Sequence, residues 1–171
     1  MVTVPLVAKP AARFMELPSM VAGDPPARVL AYTPALALAE KAHACAMVGP
    51  RNTRGKDWHD LWACACRLEV DGQGFAEAIA AVFEHRGDAI PDVENCLTWA
   101  EPMAEFLSDR WKNWVGREKL RSQPPDDIRV VMAEIREFLG PAMAAAKAGD
   151  GHQLGRWTPG QGWGQSLVLR P

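Results

Sequence analysis

Apolar positions along this chain follow two different rules, and the change of rule falls near residue 33. Before it, Pro5, Pro10, Pro18, Pro25 and Pro26 break short apolar pieces such as "VTVPLV" and "ARVLAY", which predicts an extended arm with two short strands over residues 1–33. After it, the period becomes helical. Thr33 followed by Pro34 is an N-cap with proline at the first helical position, and Gly49-Pro50 closes the segment, so a first helix is expected over 34–48. Its alanines at 35, 37, 39, 42, 44 and 46 lie all round the cylinder, which suits close packing on more than one side.

A second helix is expected from Thr53–Lys56 to about Leu68, with Trp58, Leu61, Trp62, Ala65 and Leu68 as its apolar stripe. A third, "GFAEAIAAVFEHRG", buries Phe75, Ile79, Val82 and Phe83 and ends at Gly87. After the loop "DAIPDVENC", helices follow at 95–100, at 102–119 bearing Phe106, Leu107, Trp111 and Trp114, and at 126–139, where Gly140-Pro141 interrupts. The spacing of Trp58, Trp62, Trp111 and Trp114 marks them as core residues. The tail "RWTPGQGWGQSLVLRP" is expected to be irregular, and the sequence assigns Trp157 and Trp163 no role beyond covering an exposed edge of the bundle. The fold class is therefore mainly α: an arm over 1–33, a helical domain over 34–147 and a Gly/Pro/Trp-rich tail over 148–171.

Bulk properties sharpen this only slightly. The chain has 171 residues, 48% of them hydrophobic and 23% charged, enough for one domain with a real core. Lys and Arg number 19 against 21 acidic residues, so no global positive field advertises nucleic acid. No stretch approaches the roughly 18 apolar residues of a membrane span, and a cytoplasmic location with no membrane partner is expected. Cys45, Cys64, Cys66 and Cys96 lack the spacing of a disulfide scaffold and read as free thiols. A zinc site from Cys64 and Cys66 with His43, Cys45 or His59 has the right ligand types. However, cysteines two apart on a helix point about 200° from each other, so no metal site is expected.

The candidate chemistry lies in "LAEKAHACAMVGPRNTRGKDWHDLW". On a wheel, Leu38, Lys41, Cys45 and Val48 share one face of the first helix, so an ammonium leaves an apolar stripe. Lys41 either snorkels to water or is aimed into a cleft to hold phosphate, and spacing does not decide between them. Asp57 and Asp60 are three apart on the second helix, with Lys56 able to pair with Asp60. One aspartate is explained by the helix dipole. A pair beside a buried edge can also serve as a general base, with the basic loop "GPRNTRGK" gathering an anionic substrate.

"YTPALALAEKAHACAMVGPRNTRGKDWHDLW" closely resembles the nucleotidyl transferase AbiEii/AbiGii toxin family, whose pattern is an Ala-Glu-Lys helix, a short loop and Asn-Ser/Thr-Arg-x-Lys-Asp-aromatic-x-Asp-Leu. Here these are Ala39, Glu40 and Lys41, then Asn52, Thr53, Arg54, Lys56, Asp57, Trp58, Asp60 and Leu61. The likeness continues through "AIAAVFEHRGDAIP", "WKNWVGREKL" and "WTPGQGW".

This resemblance implies a toxin of toxin-antitoxin or phage-defence systems that transfers a nucleoside monophosphate from an NTP, with Mg2+, to an acceptor such as tRNA, with a cognate antitoxin as partner. It implies Lys41 at the triphosphate and Asp57 as the catalytic carboxylate. Arg54, Lys56 and Asn52 would be substrate contacts, with Asp60 and Glu40 supporting. The family's metal-binding Gly-Ser and Asp-x-Asp pattern does not occur in the 171 residues. The chain thus looks like the C-terminal, mostly helical part of such an enzyme and is expected to be inactive alone. The competing class is a non-catalytic helical module that binds nucleotide, RNA or an antitoxin.

Overall fold

Thr33 begins the helical body as its sequence requires. In the computed structural model, which describes residues 12–52, 54–97, 101–120 and 122–165, the Thr33 hydroxyl accepts the Leu36 amide hydrogen at 3.3 Å. With Pro34 at the first helical position, this starts α1 (Pro34–Val48). The helix ends at Gly49, whose φ of 54° suits a residue without Cβ. A short 3-10 turn, Gly49–Arg51, then reverses the chain into α2 (Gly55–Ala65). Asp71 caps α3 (Gly72–Arg86) by accepting the Gly74 amide at 2.8 Å, and Gly87 closes it in the left-handed region. The remaining helices are α4 (Val93–Cys96), α5 (Glu101–Arg117) and α6 (Ile128–Ala148).

The core forms where α1 and α6 both lie against α3. Ala39, Ala42 and Cys45 of α1, Phe75, Ile79 and Val82 of α3, and Val131, Ile135 and Phe138 of α6 are fully buried. Small residues on α1 let its backbone approach α3, while stacked Phe75 and Phe138, with ring centroids 5.3 Å apart, fill the space between α3 and α6.

Helix α6 runs through Gly140-Pro141 rather than stopping there, contrary to the break expected at 139. Proline forfeits one backbone bond and costs a helix interior about 3 kcal/mol. Pro141, however, sits on the solvent side, and continuing the helix buries Ala142, Met143 and Ala145. The tail is also more regular than expected. Leu154–Thr158 (β4) pairs antiparallel with Val70–Asp71 (β3) and with Gly162–Gln165 (β5), turning at Pro159 and Gly160. Trp157 of β4 is buried and donates its indole N–H to the Ala65 carbonyl at 2.8 Å, and Trp163 donates to the Phe138 carbonyl at 3.0 Å. Pro159 and Gly160, which suggested irregularity, form the turn, and the tryptophans on either side of it close the core.

Ahead of α1, β1 (Ala12–Leu17) and β2 (Ala27–Tyr32) form an antiparallel hairpin with Phe14 opposite Leu30. The segment "ARVLAY" is thus a strand as expected, whereas "VTVPLV" lies outside the described residues. So do Thr53 and residues 98–100. Helix α2 stops at Ala65, short of Leu68, which is left exposed. Phe106 is 47% exposed, because α5 buries Ala104, Leu107, Ser108 and Trp111 on the face about 100–200° round from it.

Candidate functional site

Helices α1 and α2 are joined by so short a loop that they must lie side by side, and this brings Lys41 to the two aspartates. The Lys41 ammonium is 2.6 Å from Asp60 Oδ2 and 3.6 Å from Asp57 Oδ1. Lys56 reaches the same Asp60 oxygen at 2.6 Å across one turn of α2. Two cations and two carboxylates thus share one partly buried patch. Burial alone would pull the Lys41 pKa down, but Asp60 and then Asp57 outweigh it and hold it above the usual lysine value. Burial likewise pushes the Asp60 carboxyl up, and Lys41 and Lys56 more than reverse this. Lys41 and Asp60 both remain charged near neutrality.

Asn52 organises the loop from the inside. It is 4% exposed, its Oδ1 accepts the Arg54 amide at 3.0 Å, and its backbone carbonyl accepts the Trp58 indole N–H at 3.0 Å. Its Nδ2 is 3.5 Å from Asp57 Oδ2 and 3.7 Å from Cys45 Sγ. The expected substrate contact is therefore buried among internal partners, where it fixes Asp57 instead of facing solvent. Behind it, burial and then the Asp57 charge push the Cys45 thiol well up, which favours the neutral thiol.

Gly55 opens α2 against α5. A Cβ at this position would lie 2.5 Å from the Trp114 ring, so a side chain there would force the helices apart. His59, which sequence reasoning weighed only as a zinc ligand, sits against Trp62 and Trp114. Its Nε2 is 3.1 Å from the Ser122 carbonyl and its Nδ1 3.7 Å from Asp60 Oδ1. Its place immediately before Asp60 in a helix packed on aromatics was the available signal.

The structure thus gathers Lys41, Asn52, Lys56, Asp57 and Asp60. Arg54 stands exposed at the N-cap of α2, and Glu40 turns away to pair with Arg86 at 2.8 Å. Neither Arg51 nor Arg54 has an ion-pair partner among the described residues. The Mg2+ implied by resemblance does not fit this donor set. Both Asp60 and Asp57 are engaged by ammonium groups, and no three His, Cys, Asp or Glu among the described residues gather to hold a metal ion.

Residues 1–146 match the family model described as nucleotidyl transferase AbiEii toxin, type IV toxin-antitoxin system. The chain belongs to the AbiEii toxin family. Searches of curated proteins and of solved structures each find no match. The AbiEii match spans the β1–β2 hairpin, the charge cluster and nearly all of α6, and it leaves the β4–β5 hairpin outside. Among the described residues, no helix of this AbiEii family member is long and apolar enough to cross a membrane.

Proposed function

We propose that the α1–α2 patch is the part of a nucleotidyl-transfer centre that holds the triphosphate and receives the acceptor proton. The observation that carries this reading is Lys41, set between Asp57 and Asp60, with Arg51 and Arg54, which have no ion-pair partner among the described residues, in the loop that leads into the helix of the aspartates, in a member of a nucleotidyl transferase family. An arriving triphosphate takes over Lys41 from Asp60, which keeps Lys56 as its counter-ion. Lys41 is a compact, rotatable donor suited to phosphate oxygens. Asp57, released from Lys41 and still steadied by Asn52, accepts the proton of the acceptor hydroxyl. The acceptor oxygen then forms its bond to the α-phosphorus, and the bond to pyrophosphate breaks.

The acceptor is a nucleic-acid hydroxyl of the kind at a tRNA end, and a cognate antitoxin controls the reaction. The metal-binding carboxylates come from outside these residues, because no Gly-Ser with Asp-x-Asp occurs among them. Purified chain with magnesium and labelled NTPs is therefore expected to label no bulk tRNA while still binding NTP. Asp57→Asn is expected to keep that binding, since it removes a negative charge and leaves Lys41. Robust labelling by the chain alone would refute the incomplete centre, and undetectable NTP binding would refute the role of Lys41.

A further inference from the structure

Helix α5 exposes an aromatic ring where the core does not need it. Phe106 lies on the solvent side, and the Arg110 guanidinium stands over it, 4.7 Å from the ring centroid. Arg110 also lines a narrow crevice with Asn52 and Gly55, which joins this face to the loop carrying Arg51 and Arg54. Phe106, Arg110, Asn113 and Arg117 follow one stripe of the helix at spacings of four, three and four, with Asp109 bordering the ring on the side away from Arg110.

Arg86, Arg129, Arg156 and Lys147 each meet a carboxylate, whereas Arg51, Arg54 and Arg110 meet none among the described residues. Unpaired guanidiniums beside an exposed ring form the footprint of a single strand, whose phosphates need cations and whose bases stack on any aromatic face. The crevice is too narrow for a base, so stacking falls on Phe106 outside it.

We propose that this face of α5, with the loop before α2, binds an unpaired nucleotide strand. Phe106 takes a base, and Arg51, Arg54 and Arg110 take the flanking phosphates. For the role of the bound strand as acceptor this rests on the reading above, but strand binding itself stands without it. The strand would run from Phe106 past Arg110 toward Asn52, which touches Asp57.

Fluorescence anisotropy on the full chain tests this with labelled single-stranded RNA of about eight nucleotides, a duplex of equal length, and ATP as competitor. Phe106→Ala is expected to weaken single-strand binding about tenfold, with Phe106→Trp retaining it. Arg54→Ala and Arg110→Ala should each lower the salt slope by about 0.7. The β1–β2 hairpin supplies a control, because Arg28 stands over the exposed Phe14 ring there in the same way, with Glu16 opposite Arg28 in the strand register. Phe14→Ala should leave binding within about twofold, since no base stacks there.

Equal affinity of Phe106→Ala and the unmodified chain overturns the proposal, as does duplex bound as tightly as single strand. Competition by ATP that Phe106→Ala relieves assigns the ring to the mononucleotide and overturns the strand reading. Intact strand binding with no NTP binding counts against the Lys41 reading alone, so the two failures are distinguishable.

Discussion

Helix α1 carries charge on two edges, and the two are built differently. Toward α3 the arrangement is one to one: Glu40 meets Arg86 at 2.8 Å, and His43 Nε2 meets Asp88 Oδ2 at 2.8 Å, with the His43 ring edge-on to Phe83. Toward α2 it is shared, for Lys41 answers to two acids and Asp60 to two lysines. Losing either partner of a closed pair strands the other. In the shared set, Lys41 can be drawn to an incoming anion while Asp60 keeps Lys56, so the charges can be redistributed without leaving one unpaired. The first edge fastens α1, and the second can exchange partners.

The sharpest way to break this contrast is Lys41→Ala, which on the proposed reading removes a charge-assisted phosphate contact worth about 1.5–3 kcal/mol and should weaken ATP binding at least about tenfold. Glu40→Ala should change that affinity less than about twofold, because its partner faces α3. Equal effects in a titration would erase the distinction between the edges.

The converse substitution is His43→Ala. It removes a part-buried hydrogen bond and an aromatic edge contact, so stability should fall by about 1–2 kcal/mol with ATP affinity unchanged. Denaturant melts beside the same titration measure both.

The pH dependence sharpens the shared edge further. Asp60 has a lowered folded pKa, so its stabilisation is present above the unfolded value of about 3.9 and is lost as pH falls through the lowered value. Lys41 has a raised folded pKa, so its contribution is complete below about 10.4 and disappears as pH rises through the raised value. Urea melts across pH should therefore show acid and alkaline losses. Asp60→Asn is expected to flatten the first and Lys41→Met the second. An unchanged acid limb in Asp60→Asn would show that the cluster does not stabilise the fold.

The smallest stability effect is expected on the β1–β2 hairpin, where Phe14, Leu17, Leu30 and Tyr32 are exposed. A lone two-stranded hairpin is marginal in water, so Phe14→Ser with Leu30→Ser should move the melting of the body by less than about 0.5 kcal/mol. Light scattering at matched concentration should decrease in the double variant, because the apolar patch drives self-association. Unchanged scattering would mean that the hairpin is not the adhesive surface.

Local signals made some of this legible in advance. Thr33-Pro34 and Gly49-Pro50 mark the bounds of α1 because caps are decided within a few residues, and a short loop obliges Lys41 and Asp57 to approach. What escaped depends on partners distant in sequence. Asn52 looks like a loop residue available to substrate until Cys45, Trp58 and Asp57 enclose it. Pro141 looks like a stop until the apolar residues beyond it find α3 and the core. Trp157 looks unplaced until Ala65 supplies its acceptor. Phe106 is the exception, since a wheel drawn on α5 alone sets it about 100° from Leu107 and could have marked it as exposed.

The seat of Gly55 on the Trp114 ring has a reading in evolutionary terms. With no clearance at position 55, the two sites cannot drift independently. A relative that gains a side chain at the first is expected to have surrendered its indole at the second, in that order of necessity, since a smaller residue at 114 leaves a gap that glycine tolerates, whereas alanine beside tryptophan leaves an overlap. Paired change at these two positions would be the trace, across lineages, of α5 holding the charged loop in place.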